Sequence, residues 1–259
     1  MIMKNKLMNN IIKNVLITNV TLSLLSIFQK TSADDIYKGV RGPTNWQLDS
    51  RMSYFENEQG IKTTTGNLIL KYWNGKKFGL WGFCNLPYKN INTLDKSFKG
   101  FGDVSLGIGP RGTFDNFHWL SYASFIFPRG GDKSKQSLSN NRLDTKIGIL
   151  GTYITSNKKY ELDCIIEHNF TGKNNSEVNF PNETYIGMLG GKEITKKLKF
   201  ATGLTSLIKD NSDYTLNWRA VFRYSISPKL HFELVGDKGI KGNNVPKSTG
   251  IGFYARYNF

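Results

Sequence analysis

Apolar and polar residues alternate one by one along most of the chain, which is the period-two pattern of β-strands with two different faces. The clearest case is residues 214–227, where Trp218 and Phe222 share one face and Arg219 lies on the other. Residues 250–259 alternate in the same way, and the aromatic residues of their apolar row gather near one end. No segment shows a convincing amphipathic-helix spacing. The pattern predicts an all-β protein.

Twelve segments fit this pattern, at residues 45–54, 66–73, 77–86, 102–114, 117–127, 142–155, 160–170, 184–190, 198–208, 214–227, 229–236 and 250–259. Short turns such as 115–116 alternate with longer polar stretches such as 55–65, 87–100, 128–141 and 237–248. An up-and-down antiparallel barrel of the bacterial outer membrane has short periplasmic turns and long outer loops, whereas a Greek-key sandwich does not. The sequence therefore predicts a single transmembrane β-barrel of about 12 strands.

The N-terminal residues have the features of an export signal. A basic start is followed by a short apolar stretch, residues 15–28, and by small residues that end at Ala33. The apolar stretch is short and interrupted by polar residues, which disfavours the alternative of a retained N-terminal membrane anchor. We therefore expect a signal peptide at 1–33, a periplasmic segment at 34–44 and the barrel at 45–259.

Composition narrows the class of protein further. The 259 residues are 13% aromatic and include 2 Cys, which is too aromatic for a disordered chain and too poor in cysteine for a disulfide scaffold. The formal charge of +15 is dispersed along the chain, so we expect no nucleic-acid partner. The cysteines and histidines lack metal-ligand spacing, and no nucleotide-binding or serine-hydrolase motif is present. We therefore expect no metal and no cofactor.

The C-terminal strand resembles the sorting signal of Gram-negative outer-membrane barrels, with Phe253, Tyr257 and the terminal Phe259 in its apolar row. Upstream, Gly100-Phe101-Gly102-Asp103-Val104-Ser105-Leu106-Gly107, followed by Phe125-Ile126-Phe127-Pro128-Arg129-Gly130-Gly131-Asp132, is similar to the family named after the MetA pathway of phenol degradation. In that family a G-x-G-D strand precedes a strand ending in a P-x-G-D-like loop, and the loop is one residue longer here.

The resemblance extends over most of residues 40–259. It implies an outer-membrane location, contact with membrane lipid, and recognition of the C-terminal strand by the barrel-assembly machinery. It also implies a channel for small, often hydrophobic or aromatic, solutes, and it supplies no catalytic residue.

Charged side chains on the predicted inward faces are candidates for the channel lining. They are Asp49, Arg51, Asp103, Asp144, Lys146, Glu161, Asp163, Glu167, Arg219, Arg223, Glu233 and Arg256. The arginines lie on the last strands and the first, and most of the acids lie on the sixth and seventh, about half a turn away around the barrel. One hypothesis is a pair of opposed basic and acidic walls whose transverse field selects polar or zwitterionic solutes. The alternative is that the charges neutralise one another as salt bridges in a closed lumen.

Other features leave further alternatives open. His231 shares the predicted inward face with Glu233, which is the spacing of an acid–base pair, so a barrel enzyme of the lipase or protease type is the alternative to a channel. A closed structural barrel without transport is another alternative to a channel.

The Lys- and Asn-rich loops, such as 238–241, predict either contact with lipopolysaccharide phosphates or simple solvation. Cys84 and Cys164 fall on apolar faces of strands four places apart, so we expect two free thiols.

Overall fold

The computed structural model of the chain describes residues 46–74, 78–93, 96–128, 139, 142–172 and 181–259. The strands are β1 (Trp46–Asn57), β2 (Lys62–Trp73), β3 (Phe78–Asn92), β4 (Ser97–Phe101), β5 (Val104–Phe114), β6 (Phe117–Phe127), β7 (Asp144–Ile154), β8 (Tyr160–Phe170), β9 (Glu183–Glu193), β10 (Leu198–Lys209), β11 (Tyr214–Ser225), β12 (Leu230–Asn243) and β13 (Ser248–Asn258). Among these residues, no helix is long and apolar enough to span a membrane.

The sheet closes on itself as an antiparallel barrel. β1 pairs with β13 and β2, and every later strand pairs with its neighbour along the chain, with β4 and β5 sharing one place. Both of these strands pair with β3, since Tyr88 lies opposite Phe101 and Asn85 lies opposite Ser105. The predicted up-and-down barrel is therefore confirmed, with β4 as an additional short strand. The prediction missed β4 because it lies within a polar stretch expected to be a loop.

The strands extend further than predicted at the end of the barrel away from the termini, here called the far end. The predicted long loop at 55–65 is mostly strand, with a connection only at 58–61. The stretch 237–248 is likewise mostly strand, with a connection at 244–247. Backbone hydrogen bonds of a sheet do not require apolar side chains, so pairing continues through polar residues beyond the lipid-facing belt.

The outward faces form an exposed apolar belt. Its members include Leu70, Leu80, Leu106, Ile108, Phe125, Ile147, Ile149, Leu162, Ile166, Met188, Leu204, Trp218, Phe222, Leu234, Ile251 and Phe253. Aromatic side chains such as Trp46, Tyr72, Tyr153, Tyr160 and Phe259 border the belt at the end that holds both termini, here called the terminal end. An apolar belt with aromatic borders is the outer surface of a transmembrane barrel. Cys84 and Cys164 lie exposed on this surface, and both are free.

Three sequence predictions fall outside the described residues. They are the export signal at 1–33, the segment at 34–44 and most of the family-like loop at 128–132.

Candidate channel lumen

Asp49 begins a continuous set of ion pairs on the inward faces near the terminal end. Its carboxylate is almost completely buried and accepts from Lys71 Nζ at 2.7 Å, Arg51 Nη2 at 3.0 Å and Arg256 Nε at 3.2 Å. These residues stand on β1, β2 and β13, the strands that meet where the barrel closes. The three cations compensate the charge of this buried carboxylate. A buried carboxylate without such partners would be strongly unfavourable.

The ion pairs continue through Glu233 and Arg223. Glu233 Oε1 lies 3.8 Å from Arg256 Nη2 and 2.9 Å from Arg223 Nε. Arg223 then donates through Nη1 to Glu161 at 2.9 Å, and its Nη2 lies 3.7 Å from Asp163. Arg223 stands on β11 and both of these acids on β8, so the guanidinium reaches across the two strands between them. The predicted basic and acidic walls are thus joined by direct ion pairs.

Lys199 of β10 ends this set by pairing with Glu161, and both side chains are buried. Between their strands lies Gly191 of β9, where a Cβ would be only 2.8 Å from Glu161 Cγ and 3.1 Å from Lys199 Cε. A glycine is required here because two long side chains cross over the strand at this point. The joined residues Asp49, Arg51, Lys71, Glu161, Asp163, Lys199, Arg223, Glu233 and Arg256 are called the ionic network.

Sequence reasoning missed Lys71 and Lys199. Both lie on strands that carry apolar residues on either face, so alternation alone did not assign their side chains to the interior. Their odd-numbered positions could have identified them. Lys71 shares a strand face with the buried Trp73, and Lys199 shares one with the buried Thr205.

Four further predicted charges, Asp144, Lys146, Glu167 and Arg219, form separate pairs nearer the far end. Arg219 donates to both carboxylate oxygens of Asp237, at 2.7 and 3.1 Å. Arg142 Nε donates to Asp144 at 2.7 Å. Glu167 accepts from the Tyr122 hydroxyl and lies 3.6 Å from Lys146 Nζ.

A cavity of about 110 Å³ opens beside these far-end pairs. Its lining residues are Ile126, Asp144, Lys146, Glu167, Asn169, Glu183, Tyr185 and Leu207. The far end of the lumen is therefore polar and still has open space.

An aromatic wall adjoins the ionic network, on β2, β3 and β6. It consists of Trp73, Trp81, Phe83 and Tyr122. Trp81 stacks on Trp73 with ring centroids 5.5 Å apart and on Phe83 at 5.2 Å, and Tyr122 meets Trp81 edge-on at 5.5 Å. The Arg111 guanidinium lies over the Trp73 ring, 4.9 Å from its centroid. The wall was missed from the sequence because the two strands that carry its tryptophans are apolar on both faces.

A buried polar cluster surrounds His231 at the terminal end. The Ser225 hydroxyl lies 2.8 Å from His231 Nδ1, and His231 Nε2 lies 3.0 Å from the Pro228 carbonyl oxygen. Asn258 Nδ2 also donates to that carbonyl, at 3.3 Å, and Gln47 Nε2 donates to Asn258 Oδ1 at 2.7 Å. The predicted partner of His231, Glu233, instead binds arginines of the ionic network.

No three His, Cys, Asp or Glu side chains in the described part of the chain are placed to hold a metal ion together.

Residues 38–257 match the sequence model of the family described as "Putative MetA-pathway of phenol degradation". The chain belongs to this family. The resemblance seen in the sequence is therefore confirmed. No curated protein matches the chain at a significant level.

The family's G-x-G-D motif can now be placed in the fold. Gly100-Phe101-Gly102-Asp103 spans the interruption between β4 and β5. Gly100 has φ 156°, which favours glycine, and Asp103 is buried between the two strands along the chain. Asp103 thus lies at this interruption, outside the regular strand positions of the other predicted lumen residues.

Solved structures share the barrel fold. An outer membrane channel from Pseudomonas putida F1 has a TM-score of 0.70 and 14% identity, covering 87% of this chain and 100% of that chain. The NanC porin has a TM-score of 0.57 and 11% identity, covering 82% and 100%. The KdgM porin has a TM-score of 0.53 and 9% identity, covering 82% and 99%. At these identities, the similarities show a shared barrel fold.

Proposed function

We propose that this protein is an outer-membrane channel for small solutes. The observation that carries the proposal is a closed barrel whose outside is an apolar belt and whose inside holds charged and aromatic side chains. A buried ion pair stabilises a fold no better than apolar packing does, so stability alone does not explain the ion pairs in the lumen. Their concentration there favours a role in the passage of solutes. Membership of the family and the fold shared with an outer membrane channel and porins agree with this function.

The ionic network sets the size of the solute. Arg223 reaches from β11 to Glu161 on β8, so side chains fill part of the cross-section near the terminal end. A barrel of twelve strand places lies between small filled barrels and wide porins. We therefore expect passage of small solutes and exclusion of oligomers.

Swelling of proteoliposomes in solutes of increasing size tests this proposal. Vesicles with the purified barrel should swell in solutes of amino-acid size and not in trisaccharides, whereas empty vesicles should swell in neither. Swelling no faster than that of empty vesicles, from protein that is folded by its circular dichroism, would contradict a channel.

The Ser225–His231 contact is the observation that favours an enzyme. A Ser hydroxyl beside a His that is oriented by a carbonyl has the arrangement of a nucleophile and its base. Both side chains are buried, however, so a substrate cannot reach the hydroxyl. We infer that this cluster ties the strand ends together and has no catalytic role. Phospholipase and protease assays on refolded protein test this, and an activity that is lost in His231→Ala would overturn it.

We also propose two partners of the outer surface. The outward aromatic row of β13, which includes Phe253 and Tyr257, leads to an exposed Phe259, and we assign it to recognition by the barrel-assembly machinery. Removal of Phe259 should reduce outer-membrane insertion in cells and leave refolding into detergent unchanged.

Outward lysines at the far end, Lys238 and Lys241, are placed to meet lipopolysaccharide phosphates. Their double substitution by Gln should weaken lipopolysaccharide binding.

A further inference from the structure

The charges of the ionic network are unequally exposed to the lumen. The carboxylates of Asp49 and Glu161 are each 2% exposed, whereas Arg51 is 33% and Arg223 25% exposed. Asp163 is the most exposed acid of the network, at 24%, and lies 3.7 Å from Arg223. Most of the negative charge therefore lies behind the arginines, and the surface that a solute meets is more positive than the balance of charges suggests.

An exposed arginine in front of a more buried acid is also found nearer the far end of the lumen. Arg219 lies on the same face of β11 as Arg223, and it is 29% exposed while its partner Asp237 is 11% exposed. A fork-shaped guanidinium can keep its bond to the acid behind it and still offer N–H groups to the lumen, because it has five donors. The arginines thus have donors left for a solute.

The aromatic wall lies beside this positive surface. In the β2–β3 pairing, Phe83 is directly opposite Lys71, which belongs to the ionic network. Phe83 and Tyr122 meet edge-on with ring centroids 5.7 Å apart, and both are only partly buried. Lys71 and Arg51 bind the same carboxylate oxygen of Asp49, so the aromatic wall begins on the strand next to this part of the ionic network.

We propose that this level of the lumen binds small organic anions that carry an aromatic ring. The carboxylate would meet Arg51 and Arg223, and the ring would lie against Phe83 and Tyr122. Charge-assisted arginine–carboxylate bonds and ring contacts both favour such a solute. An aliphatic anion gains only the first interaction, and a ring-bearing cation meets like charge. The proposal rests on the proposed channel function and names the class of solute.

Benzoate, acetate and benzylammonium are the probes that test it. Their binding to the purified barrel in detergent micelles is measured by tryptophan fluorescence, which Trp81 of the aromatic wall reports, and their effect on current is measured in planar bilayers. Benzoate should bind and block best. Arg51→Gln should weaken benzoate binding about threefold, the effect of one unit charge at about 6 Å in a water-like medium. Phe83→Leu should lower the affinity for benzoate until it is close to the affinity for acetate.

Lys192→Gln is the matched control, because Lys192 is exposed on the outside of β9 and its loss removes the same charge outside the lumen. Arg51→Gln leaves Asp49 paired with Lys71 and Arg256, so the barrel should still fold. Equal binding of benzoate and acetate, or tighter binding of benzylammonium, would overturn the proposal. Binding of benzoate without any current would instead refute the channel and leave the site standing.

Discussion

Gly191→Ala tests whether the side chains of Glu161 and Lys199 pack closely over Gly191 inside the lumen. The new methyl carbon would lie 2.8 Å from Glu161 Cγ and 3.0 Å from Glu161 Oε1, closer than packed atoms tolerate. The buried pair must shift to make room, and overpacking of this kind costs about 1–3 kcal/mol. We expect the free energy of unfolding to fall by about that amount.

Gly190→Ala is the matched control, because a Cβ at Gly190 would meet nothing within 4 Å. The same substitution one residue away should leave stability unchanged or raise it by up to about 1 kcal/mol through the unfolded chain. Unfolding by guanidinium in lipid vesicles, followed by tryptophan fluorescence, measures both variants. Equal stabilities of the two variants would refute the reasoning about the crossing.

Three further outcomes are expected. Gly148→Ala should lower the thermal midpoint, because its Cβ would lie 2.7 Å from Tyr122 Cζ and displace the ring, and an unchanged midpoint would contradict this contact. Ile149→Arg, in the lipid-facing belt, should lower the free energy of unfolding by about 2–4 kcal/mol in vesicles, and a smaller loss would place this residue away from the lipid core. The intact mass of unreduced protein should show Cys84 and Cys164 as thiols, and a mass lower by two hydrogen atoms, the loss on forming a disulfide, would refute this.

The outer surface was predictable from the sequence because lipid accepts only one kind of side chain. Trp218 and Phe222 share the even-numbered face of β11, and each lies exposed in the belt as the alternation predicted. The position of the inward charges on the strongly alternating strands followed from the same parity, as for Arg219 and Arg223. The family followed from two short motifs.

The contacts inside the lumen could not be predicted in the same way. Which acid Arg223 binds depends on the distance between β11 and β8 across the barrel, and a single sequence carries no record of that distance. Lys199 and Trp73 were missed because the interior admits both polar and apolar side chains, so their strands lack a clean alternation. Partner choice in a lumen is set by barrel curvature and side-chain length.

Single-channel recording in planar bilayers tests the proposed function most directly. The purified, folded barrel should produce discrete current steps in potassium chloride, and Arg219→Ala combined with Arg223→Ala should enlarge them, because these side chains occupy the lumen. A folded wild-type barrel without current steps, in which the double substitution creates none, would contradict the channel.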